Sequence, residues 1–376
     1  VKPKNPFKPT FGAVPPILAG RDGLINEFAD AIYDGPGAPG RATLYTGARG
    51  SGKTVLLNEV EDRARQQGWL IVSETADRGL LDRLTQTHLP RLLSKFDPDA
   101  IKRAIGGFGI PVVGGNVTWE TLRPYTVKMD LRSQIDSLTD LLSEDETGLL
   151  ITVDEIHKHQ KDDLRAIAAA IQHAIREERE VAFVAAGLES SVGELLKGRV
   201  LTFLRRADKH HLGPVSEEDV REALLRPTED SGKEIEPDAL ELMVAETRGY
   251  PFMIQLVGYH CWQRSGRNQN PITVENAKEG TLRASRRLGS LVHEPSLNDA
   301  STTDKSFLLA MSSDDGPSKM ADIASRMNVT KEYAGVYRNR LIEAELIEAA
   351  GHGYVDFALP YLREYLRDHS ASLASR

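Results

Sequence analysis

The sequence predicts an α/β fold: a parallel sheet sandwiched by helices, followed by an all-helical module and a small tail of helices with a hairpin. Three observations carry that prediction. Apolar runs of strand length alternate with amphipathic helical stretches as far as residue 213, the pattern of strands covered on both faces by crossover helices. Strand signals stop after Pro214, and helical spacing takes over. From residue 304 the rhythm changes again, to short helices and two β-prone runs around glycines.

The elements follow in order. Residues 1–18 form an arm in which Pro3, Pro6, Pro9, Pro15 and Pro16 enforce an extended path. Leu24, Ile25, Phe28, Ala31 and Ile32 then recur at helical spacing until the glycine- and proline-rich stretch 35–40. Residues 42–46 read as a buried strand running into a glycine-rich turn, with a helix over 54–67 beyond it. A second strand is expected at 69–73 and a helix at 80–96. The stretch 106–115, from Gly106 to Gly115, is glycine-dense with a β-prone centre and reads as a hairpin or flexible insertion. A helix at 131–142, a fully apolar strand at 149–153 ending in two acids, a helix at 164–175 and a strand at 181–186 follow, with a short fifth strand at 210–212. These elements make up a core over 19–213.

Helices at 216–225, 238–247, 251–264 and 274–288 form the module 214–292. The first opens with Ser216-Glu-Glu-Asp219, a capping box with Asp in place of the usual Glu or Gln. Residues 293–303 are expected to be a linker, because 295–303 is polar. In the tail, 304–376, helices are expected at 305–311, 319–327 and 331–344, with a turn at Asn328-Val-Thr330. Runs at 346–350 and 354–358 flank Gly351-His-Gly353. Helix, helix–turn–helix and hairpin in that order are the parts of a winged helix.

Composition narrows the classes. The 376 residues have room for two or three cores at about 150 residues per domain, and 40% hydrophobic with 27% charged residues is ordinary globular usage. No apolar run approaches the roughly 20 residues that span a bilayer, and the N-terminal stretch has no apolar h-region. The single cysteine, Cys261, excludes an internal disulfide and a cysteine-rich metal site. A cytoplasmic protein without a membrane partner is expected. A formal charge of −8 argues against non-specific coating of nucleic acid, yet Arg283, Arg286 and Arg287 cluster, as do Arg338 and Arg340.

Two motifs carry chemistry. Gly47-Ala48-Arg49-Gly50-Ser51-Gly52-Lys53-Thr54 fits G-x-x-x-x-G-K-[ST] at every defined position, with Val55 next in the helix. Glycines let the backbone wrap a phosphate with its N–H groups inward, at the positive end of a helix. Lys53 supplies charge for the β- and γ-phosphates, and Thr54 a hydroxyl for Mg2+. An apolar strand leading in and an amphipathic helix leading out give the motif its required context. Leu149-Leu-Ile-Thr-Val-Asp154-Glu155 is the second half, about 100 residues later. A buried strand ending in an acid sets Asp154 where it can hold a magnesium-bound water, and Glu155 can take a proton from an attacking water. The chain therefore reads as a P-loop NTPase using ATP and Mg2+. His157, two residues on, is either a γ-phosphate sensor or a solvated loop histidine.

With these motifs in this order, the chain resembles the AAA+ ATPases, and within them the origin-recognition and initiator-loading group with its archaeal-type and STAND relatives. The resemblance runs over roughly residues 15–370. It implies that 214–292 is a helical lid over the nucleotide. Leu18-Ala-Gly20-Arg21-Asp22 is similar to the family's segment beside the adenine, which implies nucleotide contact at Gly20 and Arg21. Thr202-Phe-Leu-Arg205-Arg206 is similar to the stretch that often keeps an arginine finger, with Arg205 preferred over Arg206. Arg248-Gly-Tyr-Pro251 resembles the lid's Gly-x-Pro turn near the nucleotide. One departure stands out: the family places a polar sensor after the fourth strand, and here the run is Ala185-Ala-Gly-Leu-Glu-Ser190.

Two uses of ATP are open. In one, nucleotide state controls engagement of double-stranded DNA, with Lys331, Arg338 and Arg340 of the third tail helix as contacts. In the other, the chain is a nucleotide-dependent switch or assembly scaffold whose winged helix binds protein, in a homo-oligomer or with a partner. A small-molecule kinase is disfavoured by the acid pair, the helical module and the tail.

Overall fold

The computed structural model describes residues 4–10, 12–96, 130–197, 202–266, 268 and 270–371; the glycine-dense stretch 106–115 lies outside the described residues. Five strands form one parallel sheet in the order β2-β3-β4-β1-β5. They are β1 Ala42–Thr46, β2 Leu70–Thr75, β3 Leu149–Asp154, β4 Val181–Gly187 and β5 Asp208–His211. Because side chains alternate along a strand, Ile151, Val153, Phe183 and Ala185 enter the core of one face and Leu150, Ala182, Val184 and Ala186 that of the other. Helices α1 Asp22–Tyr33 and α2 Lys53–Gln66 cover the second face. Helices α3 Leu80–Arg83, α4 Leu89–Phe96, α5 Leu131–Ser143 and α6 Lys161–Arg176 cover the first. Burial on both sides is why β3 and β4 are apolar at nearly every position.

Two elements differ from expectation for local reasons. The fifth strand is Asp208–His211 rather than 210–212, paired in register with Thr43–Thr46. As an edge strand it is largely exposed, so hydrophobicity does not mark it; Leu212, which drew the reading, is buried just past the ladder. The helix expected over 80–96 is divided by a π turn, Leu84–His88. Pro90 has no N–H to give the carbonyl four residues back, and the wider turn admits its ring.

After β4 come α7 Glu189–Lys197 and α8 Thr202–Arg205, and after β5 the helices α9 Glu217–Asp230, α10 Pro237–Thr247, α11 Pro251–Arg264 and α12 Val274–Leu288. Caps begin them: Ser216 accepts from the Asp219 amide, as its capping-box pattern suggests, Thr273 and Asn276 form a reciprocal box, and Pro237 and Pro251 occupy first turns. Helix α9 continues past 225 through buried Pro227. The extended arm packs on this module. Phe7 is buried against Gly258 of α11, where any side chain would overlap its ring, and Asn5 donates to the Tyr259 carbonyl at 3.0 Å.

The stretch 293–303 is not a linker. Helix α12 runs through a π turn, Gly289–His293, into α13 Glu294–Asn298, with Val292 and Leu297 buried. Its polar residues belong to the outer face of a helix whose other face packs. The tail follows as α14 Thr302–Ser312, β6 Ser318–Lys319, α15 Met320–Arg326, α16 Lys331–Glu343, β7 Ile347–Ala349, β8 Tyr354–Phe357 and α17 Leu362–Asp368. Its three strands form an antiparallel sheet in the order β6-β8-β7. One hydrophobic cluster extends from Val215 to Leu366 and takes in Phe7. The helical module and the tail thus share a core, separate from the two cores of the parallel sheet. No helix of the described residues is long and apolar enough to cross a membrane.

That shared core contains a titratable group. His293 is 1% exposed; its Nε2 donates to the Pro360 carbonyl at 2.8 Å, while Nδ1 has no partner. Burial pushes its pKa down to about 4, against the opposing pull of the Pro360 carbonyl and Glu364. A folded-state value below the unfolded one means the unfolded chain takes up the proton first as pH falls. Stability is therefore full above about pH 6.5 and declines as pH falls through 6.5 towards 4, by about 3 kcal/mol in all. Urea melts at pH 7.5 and 4.5 are expected to show that loss in wild type and a markedly smaller one in His293→Gln.

Candidate nucleotide-binding site

The site lies at the C-terminal ends of β1 and β3, where ligands collect in open parallel sheets. After β1 the chain turns through Gly50 and Gly52, both left-handed (φ 74° and 92°), and enters α2 at Lys53. Nothing lies within 4 Å of where a Gly52 side chain would stand, so this face of the loop is open to the cavity. The Lys53 ammonium turns back on the loop and donates to the carbonyls of Gly47 (2.9 Å) and Ala48 (2.8 Å). Burial pushes its pKa down to about 8, opposed chiefly by Asp154 and then Glu345, both of which favour the cation.

β1 and β3 are not neighbours, since β4 lies between them. The two motifs nevertheless meet: Thr54 Oγ1 donates to Asp154 Oδ2 at 2.5 Å, and Asp154 Oδ1 accepts from the Glu155 amide at 2.8 Å. This requires the chain leaving β3 to pass close over the end of β4. Gly187 permits it, for a Cβ there would stand 2.7 Å from the Ile156 carbonyl oxygen. Glu155 itself is exposed and left-handed (φ 56°), a conformation that costs a non-glycine residue about 1 kcal/mol or more. That strain turns its carboxylate into the cavity beside Asp154.

The cavity has a volume of about 660 Å³ and is lined by Arg49, Gly50, Lys53, Thr54, Val55, Asp154 and Glu155, among others. Its far wall is apolar: Leu18, Pro251 and Phe252, with Leu291, Val292 and Pro295 from the α12–α13 junction. Lys53 and the loop amides at the start of α2 suit phosphate, the apolar wall suits a flat aromatic base, and the Thr54–Asp154 pair suits a small hard cation. Among the described residues no three His, Cys, Asp or Glu side chains converge on a metal site, so a cation here would need ligand oxygens as well. The residues present fit a magnesium nucleotide. His157 also lines the cavity, and burial and His159 lower its pKa, leaving it a neutral ring near pH 7.

Not every expected residue comes to this cavity. Gly20 lines a second cavity of about 350 Å³ with Asp219 and Arg226. Arg21 donates to the Gly213 carbonyl at 2.6 Å beside Asp219, so neither residue lines the cavity around Lys53. Arg205, at the end of α8, donates to the Leu196 carbonyl at 2.7 Å and is likewise outside. Ser190, the residue in the sensor place, donates to Glu345 at 2.9 Å. On α16, Lys331 is exposed, Arg338 reaches Asn339, and Arg340 pairs with the buried Asp304 at 3.1 Å. Arg340 is thus committed to the tail's own fold.

The sequence reading passed over two residues. Tyr250, inside the quoted Arg248-Gly-Tyr-Pro251, donates its hydroxyl to the Arg49 carbonyl at 2.8 Å and lies over Gly50, where a methyl would overlap the phenol. An aromatic residue beside a turn of the helical module was the available signal. Glu345 follows α16 in a left-handed conformation (φ 58°), and no local pattern marks it. Tyr250→Phe is expected to cost about 1 kcal/mol, one net hydrogen bond. Gly50→Ala, which adds strain and expels the ring, should cost more; denaturant melts of both variants compare the two.

Residues 17–184 match a family model described as an AAA ATPase domain, and residues 290–366 one described as a domain of unknown function, DUF8462. No curated protein matches. Among solved structures, the Walker-type ATPase PABY2304 of Pyrococcus abyssi is 17% identical, with 93% of this chain and 96% of that one covered and a TM-score of 0.61. The ORC2 protein of Aeropyrum pernix, in its ADP form, is 16% identical, with coverage of 98% and 100% and a TM-score of 0.53. At such identities the likeness is one of fold, and it extends over 93% and 98% of this chain. The matched segment takes in both β1 with its loop and β3 with its acids, so residues 17–184 are an AAA ATPase domain.

Proposed function

We propose that the chain binds and hydrolyses ATP in the cavity around Lys53, and that nucleotide state controls how the tail engages a partner, double-stranded DNA in the first reading. The 2.5 Å contact between Thr54 and Asp154 carries the first half, because it unites a phosphate loop and an acid-tipped strand that are 100 residues apart. Lys53 and the loop amides, from Gly47 to Val55, hold the phosphates; Pro251 and its apolar neighbours hold the base. Thr54 and Asp154 would hold Mg2+, which screens phosphate charge and draws electron density from the terminal phosphorus. Glu155 takes a proton from the attacking water as the O–P bond forms, and ADP leaves with the bridging oxygen. Turnover is slow in this reading, because the run Ala185-Ala-Gly-Leu-Glu-Ser190 departs from the family's polar sensor at the end of the fourth strand. Arg205 lies outside its own cavity, which favours a role toward a second copy over one in cis.

We read the tail as a winged helix with α16 as its recognition helix. Lys331 and Arg338 are the residues left for phosphate contact, since Arg340 serves Asp304. A specific observation favours the alternative, a protein-binding switch: the outer face of α16 exposes Tyr333 and Val336 (45% and 64%), flanked by Glu332 and Glu343. A carboxylate-flanked apolar face is poorly suited to a phosphate backbone.

Two measurements test these halves. Lys53→Ala is expected to weaken nucleotide binding at least about 100-fold, whereas Glu155→Gln keeps binding and lowers turnover about 100-fold or more. Unchanged turnover in Glu155→Gln removes Glu155 from the base role. For the tail, duplex binding should fall steeply with salt and be lost in Lys331→Glu plus Arg338→Glu. Absence of duplex binding at low salt by the wild type selects the protein-binding reading.

A further inference from the structure

The tail reaches into the ATPase core at one acidic side chain. Glu345 stands just beyond α16, and its carboxylate leaves the tail to meet the first turn of α7, directly after β4. Oε1 accepts from Ser190 Oγ (2.9 Å) and from Ser191 Oγ (3.1 Å), while Oε2 is buried with no partner. The same carboxylate interacts electrostatically with Lys53 and Arg49 of the phosphate loop. Ser191 lines the nucleotide cavity. An anionic group from the tail therefore takes the hydroxyl donors beside the phosphate loop and contributes to the potential that keeps Lys53 cationic.

Glu345 does not move alone. The tail and the helical module share one hydrophobic core from Val215 to Leu366, so they behave as a single body against the parallel-sheet domain. A second seat ties this body to the phosphate loop. Tyr361 donates to the Glu246 carbonyl at 2.7 Å, the Arg248 guanidinium stacks over its ring and pairs with Glu364 at 2.6 Å, and Tyr250 in the same turn holds the Arg49 carbonyl.

We propose that Glu345 is an electrostatic latch: it seats the module and tail on the ATPase core by occupying the Ser190 and Ser191 hydroxyls, and the γ-phosphate of ATP, which seeks the same donors and the same lysine, displaces it where ADP does not. The proposal rests on the reading of the Lys53 cavity as the ATP site. Two anions cannot share one desolvated set of donors without a large Coulomb penalty. ATP therefore binds against the latch, and by reciprocity a seated latch weakens ATP. ADP lacks the terminal phosphate and is indifferent to Glu345. The sequence departure at the sensor place has a physical use here, since the serines after β4 exchange an internal carboxylate for a phosphate.

The test uses the full chain, with Glu345→Gln removing the charge and Glu345→Gly removing the acceptor while suiting the left-handed backbone; circular dichroism checks the fold of each. Titrations with ADP and with a non-hydrolysable ATP analogue in Mg2+ are expected to show the analogue binding about 10-fold more tightly in both variants than in wild type, a typical coupling magnitude, with ADP within about twofold. Hydrogen exchange in wild type should rise in 189–197 and 344–349 with the analogue and not with ADP. An unchanged ratio of analogue to ADP affinity in folded variants overturns the latch while leaving the nucleotide site standing. A wild-type chain that binds neither nucleotide overturns both.

Discussion

The hydrogen bond from Thr54 to Asp154 closes a gap that the sheet alone leaves open. With β4 inserted between β1 and β3, the phosphate loop and the acid pair stand two strand spacings apart, about 10 Å. They meet only because the first turn of α2 leans across and because β4 ends in Gly187, which lets the chain beyond Asp154 pass over it. Parallel pairing in fixed register puts the ends of these strands level. Everything in the site depends on that alignment. A one-residue slip would reverse the face of every side chain on β3 and carry Asp154 out of reach.

The electrostatics follow from the same geometry. Lys53 is half-buried, which disfavours its charge, and carboxylates at Asp154, Glu345 and Glu155 offset part of that cost. Its ammonium is met by two loop carbonyls, neutral acceptors that a charged phosphate outcompetes. The loop is thus self-satisfied by exchangeable bonds, held in a shape that spares a ligand part of the cost of ordering it. Tyr250 adds a clasp from the helical module onto the Arg49 carbonyl, so the loop is held from both sides of the cavity.

The module and tail share a core, and this changes how the chain is divided mechanically. Polar residues at 295–303 suggested a linker between two domains, but Val292, His293 and Leu297 are buried, and the helix continues through a π turn. Two of the contacts that module and tail make with the parallel-sheet domain are Tyr250 on the phosphate loop and Glu345 on α7. Both are polar, the kind that a change of one charge can shift.

The amino-acid sequence by itself determined the parallel sheet, the phosphate loop and the acid-tipped strand. These are legible because each is written in contiguous residues: burial on both faces makes continuous apolar runs, and glycines at fixed offsets make the loop. The helix cap at Ser216 was legible for the same reason. What only the tertiary structure decided were contacts between residues distant in the chain. Arg340 pairs with Asp304, Arg21 went to Gly213 instead of the cavity around Lys53, and edge strand β5 declared itself through pairing with β1 and not through hydrophobicity. Glu345 meets Ser190 across 155 positions, and no periodicity or spacing can encode such a meeting. It is fixed by how two separately built cores lie against each other.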